Sequence, residues 1–414
     1  MIIYLAARRG VWSSEPQFRN NGSNRAVAHT VGTRTPPAPP VAATRGFTII
    51  SSSPEPPHVA QELSVPTQRK RKHVPDDDDA GSRLPSISTA ANVLLIQIVS
   101  HGKHLARTVD LFPSWPAILR DGLEINECNR DIHDTFSEEE IANYEKFRCL
   151  LDTFTTTEAE RFIVEALDEE TGQTFTRRAA ADLLAQVGQA KQNENATLKP
   201  LIIRWLGCPD GLDQDAKEHR GFKHDETAKY LLPMSQHPFS TQKRLDIDDG
   251  KIALDSGDWP VFLWHNNDCG NDPSRRRKGL FRSEILLKAA KAVFTSPSSA
   301  NGSARSRRQT NASKNNMTEV NPATIAYIAT LVYYGLCSDG AFNPTTNAGF
   351  DLQAFYHGVK EYLELEMDTE RGKKLFKWWN KNLFPNAQTK ARPNGPRFPA
   401  FDDNDDGEES EGQE

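Results

Sequence analysis

Cysteine is scarce in this chain: five in 414 residues, an odd count and too few for a disulfide-stapled scaffold. Hydrophobic residues make up 37 %, below the ~45–50 % of an ordinary globular domain, so part of the chain is expected to remain unfolded. There is no Gly-X-Y period and no heptad repeat, which excludes collagen-like and coiled-coil classes. Long apolar runs are also lacking. The longest uncharged one, 323–337, has 15 residues, short of the ~18 a membrane span needs, so no membrane association is expected. Met1–Arg9 places its charges after a short apolar stretch, the reverse of an export signal. The chain is therefore expected to be intracellular, with reduced thiols.

The motifs of phosphate-binding loops, dinucleotide folds, serine hydrolases and zinc proteases are missing as well. No cofactor is expected, and the pattern points away from an enzyme. Two weaker chemistries can be assembled. Cys208, His219, His224, His265 and Cys269 could contribute to a zinc site, although only His219 and His224 approach ligand spacing. Asp246, Asp248, Asp249 and Asp258 could hold Mg²⁺ for a metal-dependent nuclease.

What the sequence does contain is organisation. Residues 1–87 hold eleven of the 26 prolines and read as a disordered arm. Near its end, Arg69, Lys70, Arg71 and Lys72 resemble a nuclear-import signal, followed at once by four aspartates. Residues 88–386 read as one mainly helical, irregular domain with minor short strands. Residues 387–414 form an acidic tail, and removing its eight carboxylates would take the net charge from −6 to +2.

Within the domain, Ser137 and Glu140 fit a capping box ahead of Ile141, Tyr144 and Leu151. Thr157 and Glu160 repeat that start. Thr176–Asn195 and Leu198–Leu206 read as separate helices, and Lys251–Leu254 and Trp259–Trp264 as short strands. Gly279–Phe294 returns to helical spacing, and Thr295–Asn316 reads as part of a flexible loop at about 297–318. Asn321-Pro322 opens a helix that is apolar on every side and hence central. Asp351 caps the next, and the last carries Leu375, Trp378, Trp379 and Leu383.

Charge is strongly polarised. Residues 120–170 carry 16 acidic and five basic side chains; 273–314 carry eleven basic and one acidic; 370–397 carry eight basic and one acidic. Arg275, Arg276, Arg277, Lys278, Arg282, Arg305, Arg307 and Arg308 are the candidate phosphate contacts, able to displace counterions from a nucleic acid. The competing reading pairs them with the acidic 120–170 face. Trp378 and Trp379, among Lys373, Lys374, Lys377 and Lys381, could stack bases or fill a core. Two roles thus stand beside the nuclease: a non-enzymatic nuclear or nucleic-acid-associated module, and a scaffold recruiting a basic protein partner through its acidic face and tail.

Several phrases resemble a family of uncharacterised fungal proteins, a domain of unknown function. They are Arg220-Gly-Phe-Lys-His224, Trp259-Pro-Val-Phe-Leu263, Gly279-Leu-Phe-Arg-Ser283, Phe294–Ala300, Ile325–Ala329, Phe355-Tyr356 and Trp378–Pro385. The resemblance runs over about 110–386. It implies no activity, cofactor or catalytic residue.

Overall fold

The computed structural model describes residues 87–128, 130–270, 276–302 and 309–385. The arm with Arg69–Lys72, the acidic tail, and Arg275, Arg305, Arg307 and Arg308 lie outside the described residues. The expected mainly helical architecture is what the chain forms. In order, the helices are α1 (Thr89–Thr108), α2 (Trp115–Glu127), α3 (Ile132–Thr135), α4 (Glu138–Leu151), α5 (Thr156–Ala166), α6 (Gly172–Trp205) and α7 (Asp225–Leu231). They continue with α8 (Thr241–Asp248), α9 (Glu284–Ala290), α10 (Pro297–Ala300), α11 (Asn311–Lys314), α12 (Pro322–Leu336), α13 (Leu352–Glu366) and α14 (Glu370–Leu383).

Helix starts follow local hydrogen-bond chemistry. Ser137 and Glu140 form the expected reciprocal capping box of α4. The box of α5 uses Thr155 and Glu158, two residues earlier than Thr157 and Glu160; both registers have the same spacing, and the earlier one buries Phe162 and Ala166. The expected break before Leu198 does not occur. α6 runs for 34 residues with Pro200 inside it, about 51 Å at 1.5 Å per residue. Proline removes one i→i−4 bond, but Leu198, Leu201, Ile202 and Ile203 on the same helix are buried, and that burial outweighs the lost bond.

The expected strands are also corrected. Lys251–Leu254 forms no ladder, and Val261–Leu263 is a 3₁₀ turn after Pro260. Pairing is limited, among the described residues, to isolated bridges such as Pro233 with Pro260 and Trp264 with Leu280. Proline lacks the N–H that would extend such a bridge into a ladder. Gly279–Phe294 is helical only from Glu284, with Ser283 as N-cap, and its last turn widens to a π-helix over Lys291–Thr295. Within 297–318, α10 and α11 bury Ala300 and Ala312.

Two cores share α6. The first gathers α1, α2, α4 and α5 on its N-terminal half, where Phe162 packs 6.3 Å from Phe147 and 5.3 Å from Phe175 between ring centres. The second surrounds α12, all 15 residues of which are buried. α12 meets α6 at Gly335, where a β-carbon would fall 2.2 Å from Ile202 Cδ1. Glycine is what lets the two helices approach so closely.

Burying a whole helix leaves its terminal carbonyls without water. Two cations supply the donors. Lys217 Nζ donates to Tyr334 O at 2.6 Å and lies 3.3 Å from the Tyr334 ring centre. Arg220, fully buried, donates to Gly335 O at 2.8 Å and to Asp213 O, Gln214 O and Ala216 O at 3.0–3.1 Å. Its guanidinium thus serves four carbonyls, and the negative end of α12 offsets its charge. Lys217 is pulled down to about 8, chiefly by burial.

Candidate functional site

Backbone strain positions the basic residues that the sequence singles out. Gly279 takes φ +77°, and its carbonyl accepts from His265 N at 2.9 Å. Phe281 follows at φ +58°, a left-handed conformation that a residue with a β-carbon adopts at a cost of about 1–3 kcal/mol. Its buried ring packs 5.5 Å from that of Trp259 and 5.9 Å from that of Tyr362. Its carbonyl accepts from Trp379 Nε1 at 3.1 Å. That bond ties the turn to α14 and seats the next residue, Arg282, with its guanidinium 5.8 Å from the Trp378 ring centre. Arg282 therefore precedes α9, where the sequence suggests a place one turn inside a helix, and its partner is an aromatic ring.

The two tryptophans divide the roles the sequence leaves open. Trp379 is buried in the second core, while Trp378 is half-buried and meets it edge-on. Around Trp378, Lys374, Lys377 and Lys381 are exposed, and Lys374 and Lys381 lie on its helical face by spacing. None of the three is ion-paired among the described residues, whereas Lys373 bonds Glu370 and Arg371 bonds Glu366. Arg277 and Lys278 are exposed. Arg371 Nη2 donates to the Tyr362 hydroxyl at 3.4 Å, and burial pushes the Tyr362 phenol up. Arg276 is half-buried: its carbonyl accepts from Trp264 Nε1, and its own Nε has no hydrogen-bond partner.

Two basic stretches about a hundred residues apart thus meet where Arg282 lies against Trp378 of α14, with Arg277 and Lys278 exposed a few residues before Arg282. Among the described residues, no ion pair joins this face to carboxylates of 120–170. Charges of the acidic region are engaged locally: Arg120 with Asp121, and Glu140 and Glu158 in their capping boxes.

The metal candidates are spread over other tasks. His224 caps α7 by accepting from Glu226 N, and its second ring nitrogen meets Asp210 O at 3.0 Å. Asp246 lies in α8 and shares Lys251 with Asp249, and Asp258 accepts from Ser235 N. Among the described residues, no three His, Cys, Asp or Glu side chains form a metal-holding group. Sequence reasoning missed a further set altogether: Lys103, His104, Arg107, Glu194 and Lys314, which line one cleft. Its members come from three separate stretches with no local motif, and the only signal was a lone Arg on the buried side of α1.

Three of the phrases that carry the family resemblance meet at the basic face: Trp259 packs against Phe281, and the Phe281 carbonyl accepts from Trp379. No curated protein and no solved structure matches the chain. Residues 185–384, which contain the whole of this face and begin inside α6 rather than near 110, match DUF6698, a family of unknown function.

Proposed function

We propose that this protein is a non-enzymatic, nucleic-acid-associated module that contacts phosphate through the face built by Arg276, Arg277, Lys278, Arg282 and α14. Fungal origin and nuclear residence, the latter through Arg69–Lys72, belong to the same reading, as do Arg275, Arg305, Arg307 and Arg308 as added contacts. The observation that carries it is the meeting of two basic stretches around a half-buried tryptophan. Unpaired lysines release counterions when they meet phosphate, and a half-buried indole among them offers a base a face to stack on.

Salt-titrated binding of the full chain to single- and double-stranded oligonucleotides tests the proposal. Binding near 50 mM salt is expected to weaken steeply as salt rises, by about 0.9 in log–log slope per duplex phosphate contact. Replacing Lys374, Lys377 and Lys381 together by Ala should lower that slope by about 2–3. No binding at low salt, or a slope unchanged by the triple substitution, would refute the reading.

A further inference from the structure

On a different part of the molecule, α1, α6, the π-turn after α9, and α11 line a half-open cavity of about 520 Å³. We infer that this cavity is a binding site for a small ligand bearing a phosphomonoester or diphosphate group. Its described lining holds three cations, Lys103, Arg107 and Lys314, against one carboxylate, Glu194. That carboxylate is already engaged. One oxygen accepts from Arg107 Nε and Nη2 at 3.1 and 2.5 Å, and the other accepts from the buried Tyr327 hydroxyl. Glu194 therefore fixes Arg107 in place and has little repulsion left for an incoming anion. Lys103 and Lys314 have no ion-pair partner among the described residues, and they approach from opposite walls.

The remaining lining favours a hydrated polyanion over an apolar or aromatic ligand. Thr197 and Asn193 of α6 and Asn311 of α11 supply hydroxyl and amide groups, while Ala292 and Val293 alone are apolar. Asn311 Nδ2 donates to Val293 O at 2.6 Å, which pins α11 against the π-turn and sets the distance of Lys314 from α1. A π-turn widens a helix by one residue per turn, and such bulges recur where a wall must be shaped for a ligand. His104 adds an imidazole held neutral at ordinary pH, its value lowered to about 4 by burial, by Arg107 and by His101. A neutral ring still donates one N–H. The cleft is half-open and admits a terminal phosphate with a small body attached, and none of its lining belongs to the basic face, so the two sites are independent.

Calorimetric titration of the full chain with inorganic pyrophosphate at 50 mM salt tests the assignment. Saturable, submillimolar binding is expected. Lys103→Ala and Lys314→Ala, both at the surface, should each weaken it about tenfold or more, the worth of one charge-assisted hydrogen bond. Lys223→Ala, at an exposed lysine outside both sites, should leave it unchanged. A second readout is independent of affinity: pyrophosphate should protect His104 from acylation by diethyl pyrocarbonate, followed by peptide mapping. Absence of binding, or affinity unchanged in both lysine variants, overturns the site. Displacement of pyrophosphate by an unphosphorylated oligonucleotide would overturn the small-ligand assignment and give the cleft to nucleic acid. Failure of oligonucleotide binding with pyrophosphate binding intact would instead refute only the basic-face proposal.

Discussion

The first core is made of amphipathic helices that each turn an apolar stripe inward, from α1 to the start of α6, and that keep most of their charges at the surface. The second is made around α12, a helix with no outward face, and its wrapping between Leu206 and Ser283 is largely turns and short helical segments. The first solves the problem of backbone polarity locally, with Ser88, Ser137 and Thr155 capping the helices that follow them. The second solves it at long range, by sending Lys217 and Arg220 beneath the end of α12. Amphipathic packing tolerates sequence change at many surface positions. A fully enclosed helix depends on a few distant residues.

The largest expected effect separates the two cores by cooperativity. Leu331→Ala in α12 should cost about 3–5 kcal/mol, as deletion of a well-packed leucine does, and should lower hydrogen-exchange protection throughout 198–384. Phe162→Ala should cost a similar amount but leave α12 and α13 protected. Equal loss of protection everywhere would show that α6 makes the two cores one cooperative unit.

Next comes the end of α12. Arg220→Ala strands the buried Gly335 carbonyl and releases three part-buried carbonyls of 213–216, and should cost about 3 kcal/mol in denaturant unfolding. Lys217→Met gives up the bond to Tyr334 O, a weak one to Cys337 Sγ and the contact with the Tyr334 ring but relieves a buried charge, so it should cost less than Arg220→Ala, about 1–2 kcal/mol. With its folded-state value near 8 against an ordinary 10.5, Lys217 holds fewer protons folded than unfolded in that window. Lys217 should therefore add stability as pH climbs from 8 to 10.5, against the buried Cys337 thiol, which is pushed up to about 12 and works the other way, and Lys217→Met should remove the Lys217 share. If Arg220→Ala costs no more than Lys217→Met, the long-range cap is dispensable.

The smallest effect belongs to the α1–α6 seam. His104 stays neutral when folded down to about pH 4, whereas the unfolded chain binds its proton near 6.5. Stability should fall as pH drops from 6.5 towards 4, by on the order of 1–2 kcal/mol after solvent screening. His104→Asn should remove that part of the acid limb in pH-resolved thermal melts, and an unaltered limb would assign it to other groups.

How far each region could be read in advance follows from the same contrast. The capping boxes and the all-round apolar α12 were legible because helix caps and periodicity are local. The two-residue shift at Thr155, the passage of α6 through Pro200 and the absence of strands at 251–264 were not. Each was decided by burial against a distant element rather than by neighbours in sequence. The basic residues were legible as a composition, but their meeting with α14 depends on one carbonyl, that of Phe281, in a conformation its residue type disfavours. Lys103, Glu194 and Lys314 left no trace, and Arg107 only that of a lone cation on the buried side of α1, since a cleft shared by three stretches has no motif.

The cap of α12 also imposes an order in time. Lys217 and Arg220 leave the ribosome more than a hundred residues ahead of the carbonyls they will serve, the separations being 117 and 115 positions. Until Leu336 has emerged, both cations must remain hydrated and the segment around them unsettled. Closing so long a loop before any reward is gained is a slow step. The second core is thereby sealed only after α12 has been made.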